Sequence, residues 1–189
     1  MTDSKHKIKS YTIALLFCGV GVFIDQITKW LAMTYLEPIG YYTLIEGVFR
    51  LLYLENRGAA FGILQGHKPL LIVFTFIILV VVLWIYGRIP HTKRYIPLRI
   101  VTILLVSGAI GNLIDRIRLR FVVDMFFFEL INFPVFNVAD IYVVISCFFF
   151  LILVLFYYKG HELNFISCQK IKDQDIGAEE KSKEKNLGE

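Results

Sequence analysis

Four long apolar segments constrain the fold of this 189-residue chain more than any other feature. They lie at about residues 10–30, 69–86, 96–114 and 138–158, and a helix needs about 20 mainly apolar residues to cross a bilayer. Hydrophobic residues make up 57% of the chain and charged residues 19%, against about 45–50% and about 25% in soluble domains. A chain this short cannot bury so much apolar surface in a soluble core. We therefore predict an all-α integral membrane protein with four transmembrane helices.

The first apolar segment resembles a secretory signal peptide, because basic residues precede it. No small-residue cleavage site follows, so we interpret it as an uncleaved anchor. Four spans place both termini on one side, and Lys and Arg near the span ends are somewhat more frequent there. Since short loops rich in Lys and Arg stay in the cytoplasm, we expect both termini to be cytoplasmic. Three arginines lie on the outer side against this trend: Arg116, Arg118 and Arg120.

Two outer loops connect the spans on the side opposite the termini. The first, about residues 31–68, contains the β-branched and aromatic run 43–54, which predicts one or two short strands. The second, about residues 115–137, carries three consecutive phenylalanines at 126–128, which suit the headgroup region of a membrane. We therefore expect a small β-rich extracytoplasmic subdomain beside the four helices.

The end of the chain differs in composition from the rest. Residues 1–158 contain all four spans and form the predicted transmembrane domain, whereas residues 159–189 form a charged tail. We expect this tail to be cytoplasmic and disordered from about residue 170, because it has almost no apolar residues there. The formal net charge of +4 is small, and membrane topology accounts for it, so we expect no nucleic-acid partner.

The polar and ionisable residues in or beside the spans all lie on the outer side. Such residues are costly at membrane depth, which makes them candidates for function. Helical spacing of three and four residues places several of them on shared faces, with Asp25 preceding Lys29 in the favourable order. The set comprises Asp25, Lys29, Asn56, Arg57, Asn112, Asp115, Arg116, Asp124, Asn137 and Asp140.

Two of these residues, Asp124 and Asp140, can converge from the second outer loop and the start of the fourth span. Two carboxyl groups held close in a partly dry site cannot both ionise, so they share a proton. One can then take a proton from water while the other polarises a carbonyl, as in an aspartic protease. The four histidines are scattered, and no zinc, phosphate-loop or dinucleotide motif is present. We therefore expect no metal and no cofactor.

Each of these residues also has a structural explanation. Asn137 and Asp140 have the spacing of a helix N-cap and capping box. Asp25 and Lys29 could form an interfacial ion pair, and Gly108 and Gly111 are suited to close helix packing. The functional interpretation is favoured because these residues collect on one side of the membrane.

Two other functions compete with hydrolysis. A transporter or proton relay would use intramembrane aspartates, but residues 70–82 and 143–155 carry no charge, which argues against a path through the membrane. A non-catalytic assembly subunit would not need two aspartates.

Five blocks of sequence, in this order and spacing, resemble the lipoprotein signal peptidases (signal peptidase II) of bacteria. The similarity covers about residues 23–146. The blocks are Asp25-Gln26-x-Thr28-Lys29, Glu55-Asn56-Arg57-Gly58-Ala59-Ala60-Phe61-Gly62, Gly108-Ala109-x-Gly111-Asn112-x-x-Asp115-Arg116, Val123-Asp124 and Phe136-Asn137-x-Ala139-Asp140.

The resemblance implies an aspartyl endopeptidase of the bacterial cytoplasmic membrane. Such an enzyme cuts the signal peptide from a prolipoprotein just before a Cys that carries a diacylglyceryl group. The family's catalytic pair corresponds to Asp124 and Asp140. Its supporting residues correspond to Asp25, Lys29, Asn56, Asn112, Arg116, Asn137 and Ala139.

The resemblance also implies four transmembrane helices with a small periplasmic sheet, and an active site near the outer face of the membrane. The partners are then the lipid-modified prolipoprotein and membrane phospholipid, and we expect a monomer. Because the helix N-terminus at Asn137 favours the ionised form of Asp140, we expect Asp124 to hold the shared proton more readily. The family pattern accounts for Arg116 on the outer side, but not for Arg118 or Arg120.

Overall fold

The computed structural model of the protein describes residues 2–58 and 68–165. Within them, four helices are long and apolar enough to cross a membrane: Lys7–Leu36, Pro69–Arg88, Lys93–Arg118 and Val138–Tyr157. The four predicted spans are therefore confirmed. The small-residue stretch at 59–62 and the tail predicted to be disordered from about residue 170 lie outside the described residues.

The four helices are α1 (Thr2–Leu31), α2 (Lys68–Arg88), α3 (Ile96–Arg118) and α4 (Val138–Ile152). One wider π turn extends α1, and another extends α4. Large apolar side chains remain exposed along all four, for example Phe17, Phe74 and Phe148. Since a bilayer core is as apolar as these side chains, this surface is suited to lipid and not to water.

Helix α3 lies at the centre of the bundle and packs against the other three helices. Small residues permit the close approach. A Cβ atom on Gly108 would lie 2.5 Å from the Ala139 carbonyl oxygen of α4, and one on Gly21 of α1 would lie 3.0 Å from the Ser107 side chain. The predicted packing role of Gly108 is therefore confirmed, and α1, α3 and α4 are brought close together.

A three-stranded antiparallel sheet lies beyond the helix ends that are opposite the chain termini. Its strands are β1 (Tyr41–Ile45), β2 (Phe49–Asn56) and β3 (Val122–Phe128), in the order β1-β2-β3. The hairpin between β1 and β2 turns at Gly47, whose φ of +70° favours glycine. The strands predicted within residues 43–54 are thus present, and the expected β-rich subdomain is confirmed.

The third strand lies within residues 115–137, which the sequence predicts to be a loop. Two of its three phenylalanines, Phe126 and Phe128, pack against the rings of Phe49 and Phe136; membrane contact of the run 126–128 stays a prediction. Phe128 lies 4.8 Å from the Phe49 ring and 5.8 Å from the Phe136 ring, between centroids. These contacts fix β3 against β2 and hold the residues on β3 in a defined register.

A small apolar cluster attaches the sheet to the helices. It joins Ala32 and Leu36, in the π turn that extends α1, to Val123 and Met125 of β3. Val123 is fully buried and Met125 is nearly so. Because Asp124 lies between them in sequence, this cluster holds its backbone rigidly beside the helix ends.

Candidate active site

Asp124 is buried on β3, and both of its carboxyl oxygens accept hydrogen bonds from amides. Asn137 Nδ2 donates to Oδ1 at 2.6 Å, and Asn56 Nδ2 donates to Oδ2 at 2.9 Å. Asn56 reaches Asp124 because β2 pairs with β3 so that Leu54 is opposite Asp124. Asn56 is two residues further along and on the same face, in the diagonal position. The sheet register therefore sets the position of this carboxyl group.

Asp140 lies in the first turn of α4, and Asn137 caps that helix. The Asn137 side chain accepts from the Asp140 backbone N–H at 3.0 Å, and the Asn137 backbone N–H donates to Asp140 Oδ2 at 3.2 Å. The capping box predicted from the spacing is therefore present. Asn112 Nδ2 donates to the other carboxyl oxygen, Oδ1, at 2.8 Å. Because Asn137 also binds Asp124, the helix cap joins the two aspartates. Asn137 and Asp140 therefore form a capping box and also belong to the candidate site.

Lys29 is the centre of a buried ion network behind the aspartates. Its side chain is 1% exposed, and the three protons of its ammonium group have three partners. These are Asp25 Oδ2 at 2.9 Å, Asp115 Oδ2 at 2.8 Å and Asn112 Oδ1 at 2.9 Å. Asn112 accepts a hydrogen bond from Lys29 and donates one to Asp140, so this single side chain connects the ion network to the Asp140 carboxyl group. The ion pair predicted between Asp25 and Lys29 is present, and it forms part of the site.

Asp25 also fixes the start of α4. Its Oδ1 accepts from the Ala139 backbone N–H at 2.9 Å, which satisfies a donor that the helix itself leaves unpaired. Ala139 is fully buried, as is Asp25. A Cβ atom on Gly111 would collide with Asp25 Oδ2. The small residues at 111 and 139 are therefore required for the carboxylate to fit between α3 and α4.

Asp115 and Gln26 belong to the same network. The sequence places Asp115 among the polar candidates, but the resemblance gives a role to neither residue. Gln26 Nε2 donates to Asp115 Oδ1 at 2.9 Å, and the Val123 backbone N–H donates to Asp115 Oδ2 at 3.3 Å. Asp115 thus links the ion network to the strand that carries Asp124. The sequence signal for Asp115 is its position one helical turn after Asn112, which places both on one helix face. The only signal for Gln26 is that it follows Asp25 directly in the sequence.

Arg116 lies beside the aspartates at the end of α3. It is half-buried, and its Nη1 donates to the Asn112 carbonyl oxygen at 3.3 Å. Its positive charge interacts with Asp140, Asp124 and Asp115. Every predicted site residue is therefore brought into one region: Asp25, Lys29, Asn56, Asn112, Arg116, Asp124, Asn137, Ala139 and Asp140.

The electrostatic surroundings of Asp124 favour its protonated form. Burial, and secondly the negative charge of Asp140, raise the pKa of Asp124 to about 7. The hydrogen bonds from Asn56 and Asn137 and the charge of Lys29 act in the opposite sense. A pair of carboxyl groups that retains one proton near neutral pH can supply an acid and a base together. No cluster of three His, Cys, Asp or Glu side chains that could hold a metal ion occurs in the described part of the chain.

Comparison with known proteins gives consistent matches over most of the chain. Residues 17–156 match the sequence model of the family described as signal peptidase (SPase) II. The lipoprotein signal peptidase of Caldanaerobacter subterraneus subsp. tengcongensis is 44% identical over 71% of this chain and 90% of that protein. The lipoprotein signal peptidase of Clostridioides difficile is 42% identical over 71% of this chain and 88% of that protein.

Solved structures agree with the sequence matches. A bacterial membrane enzyme determined by the in meso method at 2.3 Å resolution superimposes with a TM-score of 0.67. It is 29% identical and covers 76% of this chain and 88% of its own. The resemblance found in the five sequence blocks is thereby confirmed, and the chain belongs to the signal peptidase II family.

Proposed function

We propose that this protein is an aspartic endopeptidase of the bacterial cytoplasmic membrane. It removes the signal peptide from prolipoproteins by cutting just before the Cys that carries a diacylglyceryl group. The observation that carries this proposal is the connection of Asp124 and Asp140 through Asn137 at the outer end of the bundle. A site there is at the depth where a membrane-anchored signal peptide ends.

The two aspartates divide the acid and base roles. Asp124, whose pKa is about 7, holds the shared proton, and Asp140 is ionised beside the helix N-terminus. Asp140 accepts a proton from water as the water oxygen attacks the scissile carbonyl carbon. Asp124 donates its proton to the carbonyl oxygen, which gives a neutral tetrahedral diol. Collapse of the diol breaks the C–N bond as the proton taken up by Asp140 passes to the leaving nitrogen. One diol hydroxyl returns its proton to Asp124 as the new C=O forms, so both aspartates end in their starting states.

The surrounding residues position this pair and tune its charge. Asn56 and Asn137 hold Asp124, and Asn112 holds Asp140. Asp25 and Lys29 support them through Ala139 and Asn112. Arg116 supplies positive charge where the carbonyl oxygen gains negative charge in the transition state. Preorganised partners of this kind lower the reorganisation needed during the reaction.

The orientation and the partners are also part of the proposal. Both termini are cytoplasmic and the site faces outward, because Lys and Arg are more frequent on the terminal side. The enzyme acts as a monomer on the lipid-modified prolipoprotein and contacts membrane phospholipid. Residues 1–158 form the peptidase domain, and residues 159–189 form a cytoplasmic tail.

Substitution of either aspartate tests the function directly. Asp124→Asn and Asp140→Asn should each lower cleavage of a diacylglyceryl-modified prolipoprotein by at least about 10³-fold, since each removes an acid or base that its partner cannot replace. The measurement is a gel-shift assay with purified enzyme, and the unmodified prolipoprotein serves as a substrate control.

Glu46→Gln, in the exposed turn between β1 and β2, is the matched control and should cleave at the normal rate. Near-normal turnover in either aspartate variant, with the protein correctly inserted, would contradict the proposed chemistry.

A further inference from the structure

A crevice of about 90 Å³ lies between the outer ends of α1 and α3. Gln26, Trp30 and Met33 border it from α1, and Asp115 and Arg118 border it from α3. These residues recur every three or four positions, so they form one stripe on each helix. The crevice therefore runs along the last turns of both helices, at the depth of the lipid headgroups.

This crevice lies beside the ion network and does not include the two catalytic aspartates. Lys29 forms part of its inner wall with Asp115, and Asp124 and Asp140 do not line it. On its open side, Trp30 is 51% exposed. Tryptophan side chains prefer the boundary between headgroups and acyl chains. The exposure of Trp30 therefore suits an opening that faces lipid.

Arg118 is the unneutralised charge at this crevice. Lys29 is bound by two carboxylates and an amide, and both oxygens of Asp115 already accept hydrogen bonds or an ion pair. In the described residues, Arg118 has neither an ion pair nor a hydrogen bond. Outer arginines run against the usual distribution of charge in membrane proteins. An anion from the membrane would supply the missing partner.

We propose that the crevice binds an anionic phospholipid of the outer leaflet, with its phosphate on Arg118 and its acyl chains against Trp30 and Met33. Guanidinium groups bind phosphate through two parallel hydrogen bonds, which gives Arg an advantage over Lys at such sites. The outer position of the crevice rests on the proposed function and its orientation. Lipid binding itself does not depend on catalysis.

Tryptophan fluorescence can detect this lipid. The chain has two tryptophans, Trp30 and Trp84, so Trp84→Phe leaves Trp30 as the sole reporter. The protein is placed in phosphatidylcholine nanodiscs that contain an equal small fraction of either phosphatidylglycerol or phosphatidylcholine with brominated acyl chains. One arginine near the surface enriches anionic lipid about fivefold. We expect correspondingly stronger quenching of Trp30 by the brominated phosphatidylglycerol.

The chain offers a matched control two residues away. Arg118→Gln should abolish the preference for phosphatidylglycerol, whereas Arg120→Gln, which removes an exposed outer arginine that does not line the crevice, should retain it. Equal quenching by the two lipids in the parent protein would overturn the proposal. An equal loss of preference in both arginine variants would also overturn it, because general surface charge would then suffice.

Two additions separate lipid from other anions. Excess inorganic phosphate or a soluble acidic peptide should leave the quenching unchanged. Relief by phosphate would assign the crevice to a free anion, and relief by the peptide would assign it to the substrate; either result overturns the lipid proposal. Since the readout is fluorescence, a failure of the peptidase proposal would appear only in the cleavage assay.

Discussion

The two carboxyl groups of the site differ in their hydrogen-bond partners. Both oxygens of Asp124 are bound by side-chain amides, whereas Asp140 receives one amide and the backbone N–H of the helix cap. The pKa of Asp124 near 7 follows from burial and the nearby Asp140 charge. In the proposed mechanism, this asymmetry makes Asp124 the acid before substrate arrives.

This asymmetry predicts the pH dependence of cleavage. If protonated Asp124 is the acid, kcat/KM should fall as pH rises through about 7. The hydrogen bond from Asn56 lowers the pKa of Asp124, so Asn56→Ala should raise that pKa and move the falling limb to higher pH. The measurement is the pH profile of kcat/KM in nanodiscs. Glu46→Gln should keep the parent profile, and a limb that stays in place or moves to lower pH in Asn56→Ala would refute the assignment.

At the level of single residues, the sequence supplied most of the site. Spacing and resemblance together identified the aspartates and their amide partners. Asp115 was visible in a motif block but was not assigned a role, because a carboxylate at the end of a helix usually faces water. Its contact with the Val123 backbone depends on where β3 lies, and spacing within α3 carries no information about that strand.

At the level of elements, the start of α4 depends on a single carboxylate from α1. Asp25 reaches the Ala139 backbone only because Gly111 of α3 leaves room for it. Helices α1, α3 and α4 therefore meet at the hydrogen bond from Ala139 to Asp25. One methyl group added to Gly111 of α3 would displace Asp25 and so disturb the start of α4.

Gly111→Ala tests this connection. The added Cβ should displace Asp25 and destabilise the protein by about 1–3 kcal/mol, as overpacking of a filled core does. Cleavage should fall by at least tenfold, since displacement of Asp25 moves the turn that carries Asp140. Thermal unfolding and the gel-shift assay measure the two effects.

Gly19→Ala is the matched control, because a Cβ atom there would meet nothing within 4 Å. It should unfold at the same temperature or higher, since Ala favours helix over Gly. A Gly111→Ala enzyme with full activity and unchanged unfolding would contradict this account of the helix contact.

The elements themselves were predicted unequally. The spans follow from local composition, and the first two strands lie close together in the chain, so both appear in the sequence. Strand β3 pairs with β2 across more than sixty residues, and its apolar run is equally typical of a membrane-contacting loop. Whether this run forms a strand or a membrane-contacting loop depends on its pairing with β2.

At the level of the whole molecule, the ionisable residues of the site lie at one end of the bundle and leave its middle apolar. In the proposed orientation, which follows from the distribution of Lys and Arg, this end of the bundle faces the outside of the cell. With Cys18, Cys147 and Cys168 replaced by Ser, a new cysteine in place of Glu46 should react with a membrane-impermeant maleimide in intact spheroplasts. A cysteine in place of the exposed His161 should react only after lysis. The reverse pattern would invert the proposed orientation.

The charged tail gives a second prediction at this scale. The family match ends at residue 156, and the site network lies within residues 25–140. Deletion of residues 170–189 should therefore leave kcat/KM for the modified prolipoprotein within about twofold of the full chain. Truncation after residue 145, which removes half of α4, should abolish folding and serves as the control. A large loss of activity on tail deletion would show that the peptidase domain extends further.

The complete bonding of Lys29 has a consequence for antibiotic resistance. Each polar group of the site binds a second group of the site; Asn112, for example, binds both Lys29 and Asp140. A substitution at Asp124, Asp140 or Asn112 that lowers the affinity for an inhibitor should therefore also lower the activity of the enzyme. We expect a compound that binds only these atoms to leave few viable escape mutants within the site. Selection should then favour increased expression of the enzyme or changes at the rim, where side chains such as Arg57 are exposed and replaceable.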